Sequence, residues 1–163
     1  MGLSKSRFII WSELWTAGYL IRTYDRENRF SVAGVTGQNA IIRDELLTSF
    51  ISATLEPMNT CKLFISTGAF TDNTGGAFIE PRIVAELAYL ADALGEQDYL
   101  MGPKLGRPDF MLSWPLDIIV QRGWAKLPPR LEAWRERVLA RDAWKSAMAK
   151  PGVPYDLTTF GKR

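Results

Sequence analysis

The chain has no histidine and a single cysteine, Cys61. Without histidine there is no general base for a Ser-His-Asp or Cys-His pair. One cysteine cannot form an internal disulfide, and with no histidine beside it a Cys/His metal site is excluded. No metal and no cofactor are expected. Lysine and arginine form no run, and the net charge is only +2. Recognition of a phosphate backbone needs a basic stripe, so no nucleic-acid partner is expected. The pair Gly75-Gly76 is too short for a phosphate-cradling loop and lacks its lysine. There is also no long apolar run. The stretch from Arg7 to Leu20 is interrupted by Ser12, Glu13 and Thr16. It is too short and too polar for a membrane span, and no small-residue cleavage site follows it. The expected location is the cytoplasm.

Rings, by contrast, are abundant. Six Trp, eight Phe and five Tyr accompany a hydrophobic fraction of 47% in 163 residues. That is enough for one domain with a core, and more aromatic surface than such a core needs. Some of the rings are expected to line a cavity. Cys61 is expected to be a small, buried, apolar residue.

The apolar spacing is helical almost throughout. It predicts a helix over Trp11 to Tyr24, then a polar connector from Asp25 to Gly37. A long periodic segment follows from Gln38 to Ser66, with Pro57 inside it as the expected kink. Gly68 to Gly76 reads as a loop. Glu80 to Leu94 reads as a helix with Pro81 in its first turn. A second connector, Gly95 to Gly106, leads into Pro108 to Gln121, which is apolar nearly all round and is expected to cross the middle of the domain. Pro129 to Leu139 and Asp142 to Ala149 close the helical part, and Pro151 to Arg163 reads as an irregular tail. Only Arg7 to Ile10 has a strand-like pattern. The fold class is all-α, a bundle of five to six helices.

A family resemblance becomes specific at Tyr99-Leu100-Met101-Gly102 and Asp109-Phe110-Met111-Leu112-Ser113-Trp114-Pro115-Leu116. This stretch resembles the surroundings of the central buried helix of glutathione transferases. That helix opens with a Ser/Thr-x-x-Asp capping box in the family; here Gly106-Arg107-Pro108-Asp109 keeps the acid and loses the hydroxyl. Leu131 to Arg137, Ala140 to Trp144, and the ending Lys150-Pro151-Gly152-Val153-Pro154-Tyr155-Asp156 are similar to the family's later helices, the last in its fungal members. The resemblance covers roughly residues 26 to 156 and implies the family's C-terminal helical domain over 26–163. Ser12 to Asp25 resembles the last helix of the family's thioredoxin-like domain. Residues 1–25 therefore read as a remnant of that domain, with the family's Glu-Ser pair reversed as Ser12-Glu13. The resemblance implies that the thiol-activating residue and the cis-proline loop have no counterpart in this sequence. Ordinary thiol activation of glutathione is then not expected.

The resemblance also implies a pocket for apolar molecules, built from the first long helix, the central helix and the tail. Its exposed wall needs a cover, and a homodimer is expected. Ser49, Ser52, Glu56 and Asn59 recur at three- and four-residue spacing on the long helix. They form either a solvated outer stripe or a stripe facing the pocket. In the second case Ser52, Glu56 and Asn59 are the catalytic candidates, with Glu56 as acid or base. Trp15 and Trp114 are either core or an aromatic wall against a flat ligand. Tyr19 and Arg22 are candidate donors to a carbonyl or carboxylate, and Tyr155 is a candidate lid.

Three functions fit. The first is a cofactor-free enzyme of fungal secondary metabolism that holds a hydrophobic molecule for cyclisation, pericyclic reaction or isomerisation. Orientation alone supplies roughly 7–11 kcal/mol in favourable cases. The second is a protein-interaction or ligand-binding module, and the third is residual glutathione transfer. An enclosed apolar cavity favours the first, and a broad patch without depth favours the second.

Overall fold

The computed structural model describes residues 13–30, 38–68 and 74–150, and of residues 13–15 and 74 the backbone only. Among the described residues there are seven α-helical segments: α1 (Glu13–Tyr24), α2 (Gln38–Phe50), α3 (Glu56–Ser66), α4 (Thr74–Leu94), α5 (Arg107–Arg122), α6 (Pro129–Leu139) and α7 (Asp142–Met148). A π turn, Ile51–Leu55, joins α2 to α3 end to end, so the segments make six helices. Among the described residues no strand forms, and the bridge between Tyr99 and Gly102 closes a turn. The all-α bundle expected from the apolar spacing is the fold observed. The strand-like run at 7–10 and the tail from 151 lie outside the described residues.

The π turn is the answer to Pro57. Proline donates no backbone hydrogen bond, and its ring crowds the carbonyl four residues back. The rod relaxes just before it, and the Glu56 N–H reaches back to the Ile51 carbonyl. One extra residue turns the helix phase by about 100°. Residues on either side of Ile51–Leu55 therefore do not share the face that simple spacing assigns them.

Helix α5 is the axle. It packs against α1, α2, α3 and α6. Leu112, Leu116 and Ile119 meet Leu47, Ile51 and Leu55 of the rod, Ile83, Leu87 and Leu90 of α4, and Leu131 and Trp134 of α6 in one core cluster. Each fully buried side chain of this size contributes about 1.5–3 kcal/mol. The start of α5 is held by Asp109, which is 1% exposed. Its carboxylate accepts from the backbone N–H of Leu100 (2.9 Å) and Gly106 (2.8 Å) and from the Trp134 indole (2.8 Å). The missing hydroxyl cap has a steric reason. A Cβ on Gly106 would stand 2.9 Å from Met101 Cγ, so no Ser or Thr fits there without a shift.

Polar clips tie the helices together. Arg107 at the head of α5 pairs with Asp44 and Glu45 on α2. Arg135 on α6 pairs with buried Asp117 on α5. Arg43 donates to the Leu100 carbonyl at 3.0 Å. Cys61 is half-buried and packs against the core as a small apolar residue.

Helix α4 corrects one boundary. It begins at Thr74 rather than Glu80, so Gly75 and Gly76 are helical and Pro81 lies inside the helix. Two features permit this. A Cβ on Gly75 would come within 3.3 Å of Ile65 Cδ1, so the glycine lets the first turn of α4 approach the end of α3. The carbonyl that Pro81 deprives of a donor belongs to Ala77, an exposed position that water can reach.

Glu86 on α4 is 5% exposed. One carboxylate oxygen accepts from Arg82, and the other has no hydrogen-bond partner. Burial pushes its carboxyl above the ordinary range, against the pull of Arg82. A raised native pKa means that the folded chain binds the proton better. Stability from this site is then full below the unfolded value of about 4.3 and falls as the pH rises past it. Glu86→Gln should therefore raise stability at pH 7 by about 1 kcal/mol. The gain should shrink toward zero near pH 4, as read by urea melts at the two pH values. A gain equal at both would contradict the assignment.

Candidate functional site: an apolar groove beside the central helix

Helix α1 stands apart from the core. Its main packing partner is α5, and Gly18 is its one buried residue among 16–24. The separation opens a groove of about 740 Å³. One wall is Ala17, Leu20, Ile21 and Tyr24 of α1, at the spacing of a single helix face. The opposite wall is Phe110, Met111 and Trp114 of α5. Trp114 also packs on Leu63 and Ile118, which fixes its ring against the rod.

The connector after α1 closes one end. Both carboxylate oxygens of Asp25 accept backbone N–H groups, from Arg29 at 2.8 Å and Phe30 at 2.7 Å. Asn28 supplies the positive φ of 51° that this turn requires. The result places the Phe30 ring edge-on to Phe110, with centroids 5.3 Å apart. The Arg29 guanidinium lies 5.6 Å from the Phe30 centroid. Besides Asp25 and Arg29, the polar lining is Thr16 and Ser113. The Ser113 hydroxyl donates to the Phe110 carbonyl at 2.8 Å.

A smaller cleft of about 140 Å³ adjoins the groove and shares Ile21 and Phe30 with it. Its lining is charged: Arg22, Arg107, Asp44 and Glu45. Burial raises the Asp44 carboxyl above its usual range, and Arg107 pulls it back. Glu45 and Asp44 in turn hold Arg107 charged against the cost of its own burial. This cluster braces α5 against α2. Among the described residues no cluster of Cys, Asp and Glu could hold a metal ion, and no helix is long and apolar enough to cross a membrane.

The residues singled out from sequence divide between these features. Trp114 lines the groove. Arg22 lines the charged cleft. Tyr19 is 55% exposed, lies off the groove face of α1, and meets Tyr24 edge-on at 6.4 Å. The long helix contributes Asp44 and Glu45 to the cleft but none of its polar series, so Ser49, Ser52, Glu56 and Asn59 stand outside both linings. Nor do these four form one stripe. Ser49 is exposed, Ser52 and Glu56 are half-buried, and Asn59 is buried. Ser52 lies within the π turn, whose change of phase separates exposed Ser49 from buried Asn59. Asn59 donates its amide to the Pro115 carbonyl of α5 at 3.0 Å and works as an interhelix clip. Ser52 donates to the Thr48 carbonyl at 2.9 Å, within its own helix. The side chain of Trp15 and all of Tyr155 lie outside the described residues.

Asp25, Arg29, Phe30 and Phe110 were not read from the sequence as site residues. The first three fell in a segment that composition marks only as a connector. Their signal is the Asp25-x-x-Asn28 pair, a carboxylate followed by a residue that tolerates positive φ, immediately before Arg29 and Phe30.

These helices, in this order around a buried axle, are the fold of the glutathione transferase C-terminal helical domain. A glutathione S-transferase from Actinobacillus pleuropneumoniae superposes on 88% of the chain with a TM-score of 0.71 at 21% identity. The bacterial glutathione transferase BphK, solved as a ternary complex, superposes on 83% with a TM-score of 0.67 at 20% identity. The chain spans 65% of the length of each. No family model and no curated protein matches the sequence.

Proposed function

We propose that the chain binds a hydrophobic small molecule in the groove between α1 and α5. The observation that carries this reading is the groove itself. It has the volume of a site for a small organic molecule, apolar walls on two helices and, among the described residues, four polar ones in its lining. A packed interface would not leave Leu20 and Phe110 at 48% and 38% exposure. Native mass spectrometry of the chain purified from its own host is expected to reveal an apolar adduct of a few hundred daltons. A chain that stays free of ligand when offered an extract of the host's apolar metabolites would contradict the reading.

On this reading any chemistry is of the cofactor-free kind. Thr16, Tyr24, Arg29 and Trp114 carry side-chain donors in the described lining, while the Ser113 hydroxyl is already spent on the Phe110 carbonyl. These donors suit a held molecule that cyclises, rearranges pericyclically or isomerises, as in fungal secondary metabolism. Residues 1–25 fit the role of a retained transferase helix, with 26–163 as the helical domain.

A second reading, residual glutathione chemistry, is favoured by the fold shared with two glutathione transferases. Retention on immobilised glutathione would support it, and clean flow-through would count against it. A homodimer, or a role as an interaction module, is supported by Ile41, Ile42 and Leu46, which are about half exposed along α2. Sedimentation as a monomer at micromolar concentration would remove that support.

A further inference from the structure

We propose that the groove's ligand is an amphipathic organic anion, with its apolar body between Leu20 and Trp114 and its acidic head at Arg29. The inference rests on the groove being the binding site and adds the charge of what it holds.

Among the described residues the lining contains two charged ones, Asp25 and Arg29. They are not equivalent. Asp25 spends both oxygens on the backbone N–H groups of Arg29 and Phe30. Its carboxylate is turned into the loop and fixes the geometry of the end wall. The Arg29 guanidinium makes no such internal bond. Its ion pair is with exposed Glu27, at 3.5 Å and on side chains 67% and 78% exposed. Such a pair contributes little and exchanges readily. The guanidinium also lies over Phe30, which stacks edge-on with Phe110 of the opposite wall. The cation is therefore held on the aromatic end of an apolar trough. Phe30 keeps it close to the groove, and its donors remain available for a planar acid. A carboxylate or sulfonate head meets a bidentate partner there, and the remainder of the molecule lies along α1 and α5.

The neighbouring charged cleft does not compete for the same head. Of its two cations, Arg107 is already committed to Asp44 and Glu45, and Arg22 is likewise engaged. Arg29 is thus the cationic group that the groove presents to a ligand.

Two fluorescent probes of the same shape separate the head from the body: pyrenebutanoate and pyrenebutanol. Their binding to the full chain is read by fluorescence anisotropy. The wild-type chain should bind the acid about tenfold more tightly than the alcohol, and the preference should fade as salt rises. Arg29→Gln should erase the preference by weakening the acid, which would then bind no more tightly than the alcohol. Glu27→Gln, which removes the competing carboxylate, should increase it. Equal binding of both probes by the wild type would overturn the proposed head group and leave the groove standing. A preference that survives in Arg29→Gln would do the same. Failure to bind either probe would overturn the groove reading with it.

Discussion

Asp109→Ala is expected to lose about 5 kcal/mol of stability, because three buried donors would be stranded at about 1–3 kcal/mol each. The donors are the backbone N–H groups of Leu100 and Gly106 and the indole of Trp134. The site is 1% exposed, so water cannot replace the carboxylate. Burial pushes the Asp109 carboxyl up, and the same three donors pull it back toward the charged form. A domain of this size has about 5–15 kcal/mol in total. The variant should melt about 15 °C lower, taking 2–4 °C per kcal/mol for a chain of this length, or fail to fold. Trp134→Phe removes one donor and should cost far less. A thermal melt of Asp109→Ala within a few degrees of the wild type would refute the role given to this carboxylate. The consequence reaches the groove, because Phe110, Met111, Ser113 and Trp114 all follow Asp109 in the turns that it caps.

Leu20→Glu should weaken pyrenebutanol binding by about a hundredfold, since an apolar ligand would have to strip water from a carboxylate. Leu20 lines the groove and is 48% exposed, so the fold should tolerate the change within about 0.5 kcal/mol. Leu46→Glu is the control. Leu46 is 51% exposed on α2 and absent from the groove lining. Its affinity should match the wild type. Equal losses in both variants would point to nonspecific adsorption on exposed apolar surface.

Much of the fold is legible in the sequence because the apolar spacing is strong. Leu112, Leu116 and Ile119, in a segment read as an apolar helix crossing the middle of the domain, are fully buried in the axle. The start of α4 was hidden because Gly75-Gly76 is ordinarily punctuation. The approach of Ile65 explains the helical glycine at 75, and among the described residues nothing packs against Gly76. The site was legible in part. Trp114, read as either core or an aromatic wall, packs on Leu63 and Ile118 and also lines the groove. The polar series from Ser49 to Asn59 misleads because spacing assumes an unbroken helix, whereas Pro57 imposes a π turn and a new phase. Arg29 and Phe30 were hidden for the opposite reason. Their placement depends on two side-chain-to-backbone bonds at Asp25 and one positive φ at Asn28, which no periodicity records.

The central claim is that a hydrophobic small molecule lies between α1 and α5. A crystal structure of the wild-type chain saturated with pyrenebutanol tests it most directly. The account predicts the pyrene ring between Leu20 and Trp114, with Phe30 and Phe110 closing its end. A saturated complex with this groove empty and the probe elsewhere, for example against Ile42 and Leu46 on α2, would contradict it.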